Sequence, residues 1–317
     1  MRRPSLPLLL LLLPAFAQAA HWSEPEIAGL VTDPALAEIS GIAASRAHPG
    51  AYWAINDGGN GARLHLMDGG GTFRASVDVA GVQNQDWEDL SSFELDGRHY
   101  LLVADTGDNG GIRQELRLHA IEEPRAFDAP VAVAWTVRFA WPDGPRDCEA
   151  IAVDARRGDV LLLSKKRVPP ELFRVPLQPA ADGAAAVAEP VGTLAGIEQP
   201  DAGDLEKSPT YGRYRSQITG AALSPNGRVL AVLNYRSVHF VVRAPRRSWA
   251  DALAVPAPAL AMPWIPQAEA IAFAPDGRSL LIGSEQLPSP LLRYRVEGGP
   301  RPAGPASSGP TDPPVAR

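Results

Sequence analysis

Ten oxygen-bearing side chains recur at matching places along the chain. Glu38, Asp86, Asp147, Gln217 and Gln267 form one set. Ser40, Glu88, Glu149, Thr219 and Glu269 form a second, each two residues beyond its counterpart. Carboxylates brought together in a narrow space raise one another's pKa unless a cation sits among them. With no His or Cys in either set, the donors are hard oxygens, which suit Ca²⁺ or Mg²⁺. Ca²⁺ better fits an irregular cage of many oxygens. Glu88, Glu149, Glu269, Asp86, Asp147 and Glu38 are therefore the candidate metal ligands. The competing reading is a hydrated polar channel whose carboxylates are solvated or bonded to nearby backbone.

Two loops add donors: Asn56-Asp57-Gly58-Gly59-Asn60-Gly61 and Asp105-Thr106-Gly107-Asp108-Asn109-Gly110. Asp57 and Asp105 are placed to orient or deprotonate water. The same residue types also build Asx turns, and that reading stays open. Equivalent loops carry Lys165-Lys166-Arg167, Asn234-Tyr235-Arg236 and Ser284-Glu285-Gln286, so Lys165 and Arg236 are candidates to neutralise an anion. The chain has no HExxH, GxSxG, P-loop or GxGxxG pattern.

The elements that must position these groups are strands. Five units begin at Gly41, Asp89, Ala150, Gly220 and Ala270. Each first strand is followed by a tight turn, such as Asp96-Gly97, Asn226-Gly227 or Asp276-Gly277, and then a second apolar run. A third, alternating strand follows in every unit and a weaker fourth in four of them. The fourth strands are expected at Phe73 to Ala80, Val131 to Trp141, Val187 to Leu194 and Leu253 to Ala261. No segment shows a sustained helical period, so the fold class is all-β, a β-propeller of four-stranded blades. Five blades are counted, with six as the alternative if the stretch from Ala180 to Gln217 hides another. The fifth unit lacks a fourth strand, and Ile27 to Thr32 is expected to close the ring. The starts of the first strands, the loops joining second to third strands and the links between blades then share one face. On that face the link from Ile197 to Ser216 is long enough to act as a lid or binding loop.

The 317 residues carry a net charge of -6, which argues against nucleic acid as a partner. Arg2, Arg3, the apolar run Leu6 to Leu13 and Ala17-Gln18-Ala19 read as a signal peptide over residues 1–19. Export to the periplasm or the medium follows, with no membrane insertion. The propeller domain spans 20–297, and the Pro- and Gly-rich residues 298–317 read as a disordered tail. Cys148 is the only cysteine, so no intramolecular disulfide can form, and it is expected to be a small buried residue. The six histidines do not cluster in sequence, and most are expected at the surface or half-buried.

Several short motifs carry a resemblance: Ile39-Ser40-Gly41-Ile42, Trp87-Glu88-Asp89-Leu90, Leu102 to Asn109, Glu149-Ala150-Ile151 and Glu269-Ala270-Ile271. The chain resembles the exported bacterial β-propellers of the phytase-like esterase, SdiA-regulated and gluconolactonase-like groups. That resemblance implies axial calcium held by Glu88, Glu149 and Glu269, and in some members hydrolysis of phosphoesters or lactones. Such families commonly have six blades, and this chain departs from them in its count of five. It also departs in carrying Ser40 and Thr219 where other repeats carry Glu. Two functions are expected to compete. One is a metal-dependent hydrolase of small phosphoester, ester or lactone substrates. The other is a non-catalytic propeller with a structural metal, displaying loops to a small polar ligand, a glycan or an envelope protein.

Overall fold

The computed structural model describes residues 22–297, so the expected signal peptide and tail lie outside the described residues. Blade 1 is built from Ile39–Ala44, Ala51–Asn56, Arg63–Asp68 and Phe73–Ala80. Blade 2 comprises Trp87–Leu95, Arg98–Asp105, Leu116–Glu122 and Val131–Ala140. Blade 3 comprises Ala150–Asp154, Asp159–Leu163, Glu171–Pro176 and Glu189–Thr193. Blade 4 comprises Ile218–Leu223, Val229–Asn234, Ser237–Val242 and Ala259–Ala261. Blade 5 takes Ala268–Phe273, Ser279–Ser284 and Ser289–Arg295, and its outer strand is the N-terminal Glu26–Val31. The first strand of each blade packs on that of the next, and the fifth returns to the first. This is a five-bladed β-propeller, and the described residues hold no sixth blade, the stretch from Ala180 to Gln217 included.

The packing follows from the two-residue period of the strands. One side of each blade faces the preceding blade and the other faces the following one. Five apolar cores result, one per interface. Trp53, Leu64, Trp87 and Leu90 lie between blades 1 and 2, for example, and Phe139, Cys148, Ile151 and Phe173 between blades 2 and 3. Fully burying an indole such as Trp87 contributes about 4 to 6 kcal/mol at ordinary transfer values.

Three expectations are corrected. Blade 4's outer strand is only Ala259–Ala261, because Ser248 and Asp251 form a capping box that starts a helix at Trp249–Leu253. The long link between blades 3 and 4 forms another helix, Ala202–Lys207, capped reciprocally by Asp201 and Asp204. In blade 3, Ala186–Val187 leaves its own sheet and pairs in parallel with Phe139 and Ala140 of blade 2. Among the described residues no helix is long and apolar enough to cross a membrane.

At the axis each first strand presents an unpaired edge, and buried amides there need partners. One side chain supplies three of them. Asp89 is fully buried, and its Oδ2 accepts from Ile151 N of blade 3 at 2.8 Å and from Ala221 N of blade 4 at 3.3 Å. Its Oδ1 accepts from Leu90 N at 2.8 Å. The matching positions hold Gly41, Ala150, Gly220 and Ala270, so Asp89 is the one long side chain in that ring. Gly41 is required: a Cβ there would fall 2.6 Å from Leu90 N.

Three histidines are buried rather than superficial. His65, His119 and His239 sit on third strands, each within 3 Å of a Ser or Thr hydroxyl: Ser76 at 2.8 Å, Thr136 at 2.9 Å and Ser237 at 2.9 Å. Burial pushes His65 down to about 4, with Arg63 adding to the fall, and lowers His119 and His239.

Two outcomes follow. Asp89→Ala leaves three buried N–H groups without an acceptor and is expected to cost about 3 kcal/mol or more in chemical denaturation. His65 protonates more readily unfolded than folded, so the stability it contributes is present above pH 6.5 and lost as pH falls towards 4. Between those limits wild type is expected to lose up to about 3 kcal/mol relative to His65→Gln, measured by denaturation of both proteins across that range.

Candidate functional site

The face on which the first strands begin, the upper face, gathers the carboxylates, and a repeated backbone irregularity aims them. In four blades the first strand carries one extra residue relative to its neighbour. The register shifts across Ile39/Gly41, Trp87/Asp89, Ile218/Gly220 and Ala268/Ala270. The residue bulged out is Ser40, Glu88, Thr219 or Glu269. A β-bulge re-aims its side chain and bends the strand. In blade 3 the strand starts one residue later, and Glu149 immediately precedes it.

The hydroxyls and the carboxylates at these positions have different work. Ser40 Oγ donates to Trp87 O of the next blade at 2.9 Å, and Thr219 Oγ1 to Ala268 O at 2.6 Å. Thr106, from a loop of blade 2, does the same for Cys148 O at 2.7 Å. These bonds tie the start of one first strand to the blade before it. Glu88 and Glu149, only 5% and 3% exposed, instead enter the mouth of the channel.

Two carboxylate triads form there and share Glu88. Asp57, Asp86 and Glu88 each offer an oxygen within 4.8 Å of the others, and so do Glu88, Asp147 and Glu149. Burial, then the charges of Asp57 and Asp86, push Glu88 well above the usual carboxylate range. Burial together with Asp57 and Asp147 raises Asp86 to about 6. Gly107 makes room for the cluster, since a Cβ there would lie 2.1 Å from Glu88 Oε1 and 2.4 Å from Asp86 Oδ2. Glu149 Oε2 is buried with no hydrogen-bond partner, while its Oε1 accepts from Lys165 Nζ. Asp147 Oδ1 accepts from Asp108 N at 2.9 Å, and its Oδ2 lies 2.9 Å from Lys166 Nζ.

The remaining candidates lie elsewhere. Glu269 enters neither triad; it accepts from Tyr235 OH at 2.6 Å. Burial and the charges of Glu269 and Asp57 lift the neighbouring Glu285 to about 8. Glu38 is exposed and bound by Asn60 Nδ2 at 2.6 Å. Asp105 is buried against Arg113, whose NH2 donates to it at 2.7 Å. Arg236 pairs with Glu198 at 3.2 Å and with Asp204 of the helix Ala202–Lys207 at 3.4 Å. Asp108 accepts from Ile112 N and Arg113 N, which is turn chemistry. Cys148 is buried, and its thiol is pushed up to about 12 by that burial. A cavity of about 370 Å³ opens on the opposite face and is lined by Ser91, Ser92, Asp154 and Arg156, away from the triads.

Sequence reasoning placed Tyr235 and Glu285 on loops at the mouth but gave them no role there, and it missed Asp89 as the floor of the mouth. The signal for Asp89 was present: it is the only residue larger than Ala in its set.

By sequence the chain matches no protein-family model and no curated protein. Solved structures do align with it over most of their length. The PQQ-bound aldose sugar dehydrogenase from Streptomyces coelicolor shares 11% identity over 88% of this chain and 99% of that one, with a TM-score of 0.46. A luciferin-regenerating enzyme shares 10% identity over 85% of this chain and 95% of that one, with a TM-score of 0.42. The WD40 domain of Neurospora crassa Pan2 covers 85% of this chain and 66% of that one at 7% identity, with a TM-score of 0.36.

If the space beside Gly107 is reserved for Glu88 and Asp86, Gly107→Ala is expected to lower stability by about 1 to 3 kcal/mol in denaturant melts. Gly61→Ala in the neighbouring loop, where a Cβ meets nothing within 4 Å, should stay near wild type.

Proposed function

We propose that the upper mouth is a divalent-cation site and that the protein uses it to hydrolyse small anionic esters. The observation that carries this reading is the pair of triads converging on Glu88, with a buried carboxylate oxygen of Glu149 left unpartnered. Such crowding is costly in isolation, because each buried charge raises the free energy of the next. Glu88, Glu149, Asp147, Asp86 and Asp57 would hold the ion, and their all-oxygen chemistry fits calcium before magnesium, which dehydrates reluctantly. When bound, such an ion polarises a substrate oxygen and lowers the pKa of water.

The chain's own groups supply the rest. Glu285, with its proton retained near neutrality, is a candidate proton donor, and Asp57 on the loop is a candidate acceptor. Lys165 brings positive charge for an anionic substrate. Asp105 and Arg236, engaged in ion pairs with Arg113 and Glu198, are given no step in this reading. Export through residues 1–19 would place the site in the periplasm or the medium, where affinities of order 0.1 to 1 mM suffice for calcium modules.

The same ion pairs favour a second reading, in which the cation is structural and the mouth binds a polar ligand without turnover. Calcium titration by calorimetry and melting separates the readings. Glu88→Gln is expected to weaken calcium binding at least tenfold and to abolish the calcium-dependent rise in Tm. Under the hydrolase reading, chelation also stops turnover of phosphomonoesters, phosphodiesters, lactones or simple esters. Turnover that persists in excess chelator removes the hydrolase reading, and wild type without calcium or magnesium binding removes both.

A further inference from the structure

Lys165 is the ammonium set most deeply among these carboxylates. Its side chain is only 11% exposed, and it donates to Glu149 Oε1. Burial raises the pKa of Asp57 of blade 1, Glu88 of blade 2 and Glu269 and Glu285 of blade 5, and the charge of Lys165 opposes that rise at each. The neighbouring Lys166 is placed differently: it is 43% exposed and bound to Asn109 Oδ1 at 2.9 Å as well as facing Asp147.

An ammonium is an incomplete answer to this site. It carries one charge and three donors, and the two triads present five carboxylates. Glu149 shows the shortfall, since its Oε2 stays buried and unpartnered while Oε1 is engaged. A divalent ion brings twice the charge and takes six to eight oxygens. The same carboxylate cannot serve both well, because an ammonium within bonding distance of a ligand oxygen repels a dication there. Lys165 can leave: it sits two residues beyond the strand Asp159–Leu163, in a loop whose next residues, Lys166 and Arg167, are exposed, and its stem has four methylenes.

We propose that Lys165 is a tethered stand-in cation: it occupies Glu149 while the site is empty, is displaced when a divalent ion loads, and then presents its ammonium at the rim to an anionic ligand. The proposal rests on the cation-site reading above and goes further, because it couples loading of the ion to exposure of the anion-binding charge. Binding of the cation and of the anion is then mutually reinforcing, as linkage requires.

Two measurements on the full chain test it. Lys165→Met removes the competitor, and calcium affinity by calorimetry is expected to rise tenfold or more. In wild type, acetylation of Lys165 by a limiting amine-reactive reagent, read by peptide mass spectrometry against exposed Lys207, is expected to increase at least threefold when calcium is added. An unchanged or weaker affinity in Lys165→Met overturns the proposal. So does a rise in affinity without a rise in wild-type labelling, since the ammonium would then act only at a distance. If neither protein binds calcium or magnesium, the cation site itself falls; if wild type binds and the labelling stays flat, only the displacement does.

Discussion

Five strand edges meet at one axis with too little room for side chains and no neighbouring strand to pair with. Every buried amide and carbonyl on those edges must be satisfied from elsewhere. The chain does this with few groups. Asp89 collects three N–H donors from blades 2, 3 and 4. Ser40, Thr106 and Thr219 each reach a carbonyl at the start of the next first strand. Gly41 and Gly220 let backbones approach to distances that a Cβ would forbid. Burial raises the pKa of Asp89, and the N–H groups it accepts oppose that rise.

The same geometry produces the chemistry. The extra residue in four of the first strands turns its side chain out of the regular alternation. Where that residue is Ser or Thr, it is absorbed into bonds between blades. Where it is Glu, it is left facing the channel. Ser40 and Thr219 are thus not weakened versions of Glu88; they perform another task at an equivalent place. The result is a ring that is structural along blades 1 and 4 and ionic where blades 2, 3 and 5 meet the mouth. A site of this kind is held against its own repulsion by the cores between blades, a common relation between stability and function.

Much of this architecture was legible in the chain, and the reasons are local. Turns such as Asn226-Gly227 and Asp276-Gly277 mark reversals because they tolerate positive φ, found here at both glycines. Closure by the N-terminal strand was legible as a missing partner in blade 5. The bulges were not, because one added residue leaves the apolar pattern almost unchanged. Asp57 belongs with Glu88 rather than with Asp105, despite similar loops, because Arg113 claims Asp105 from six residues beyond Gly107. Outer strands were least legible: they are half exposed, and Leu253 serves the core equally well from a helix.

The closing strand also has a history in time. Glu26–Val31 leaves the ribosome before any blade, yet its partner Ser289–Arg295 comes last. The contact between Arg295 and Glu26 spans 269 positions. Until Ser289–Arg295 emerges, the first strand has no mate. Long-range pairing of this kind slows folding and leaves a nascent chain exposed to sticking. The exposed charge of Glu26 would help to blunt the edge of that strand while it waits.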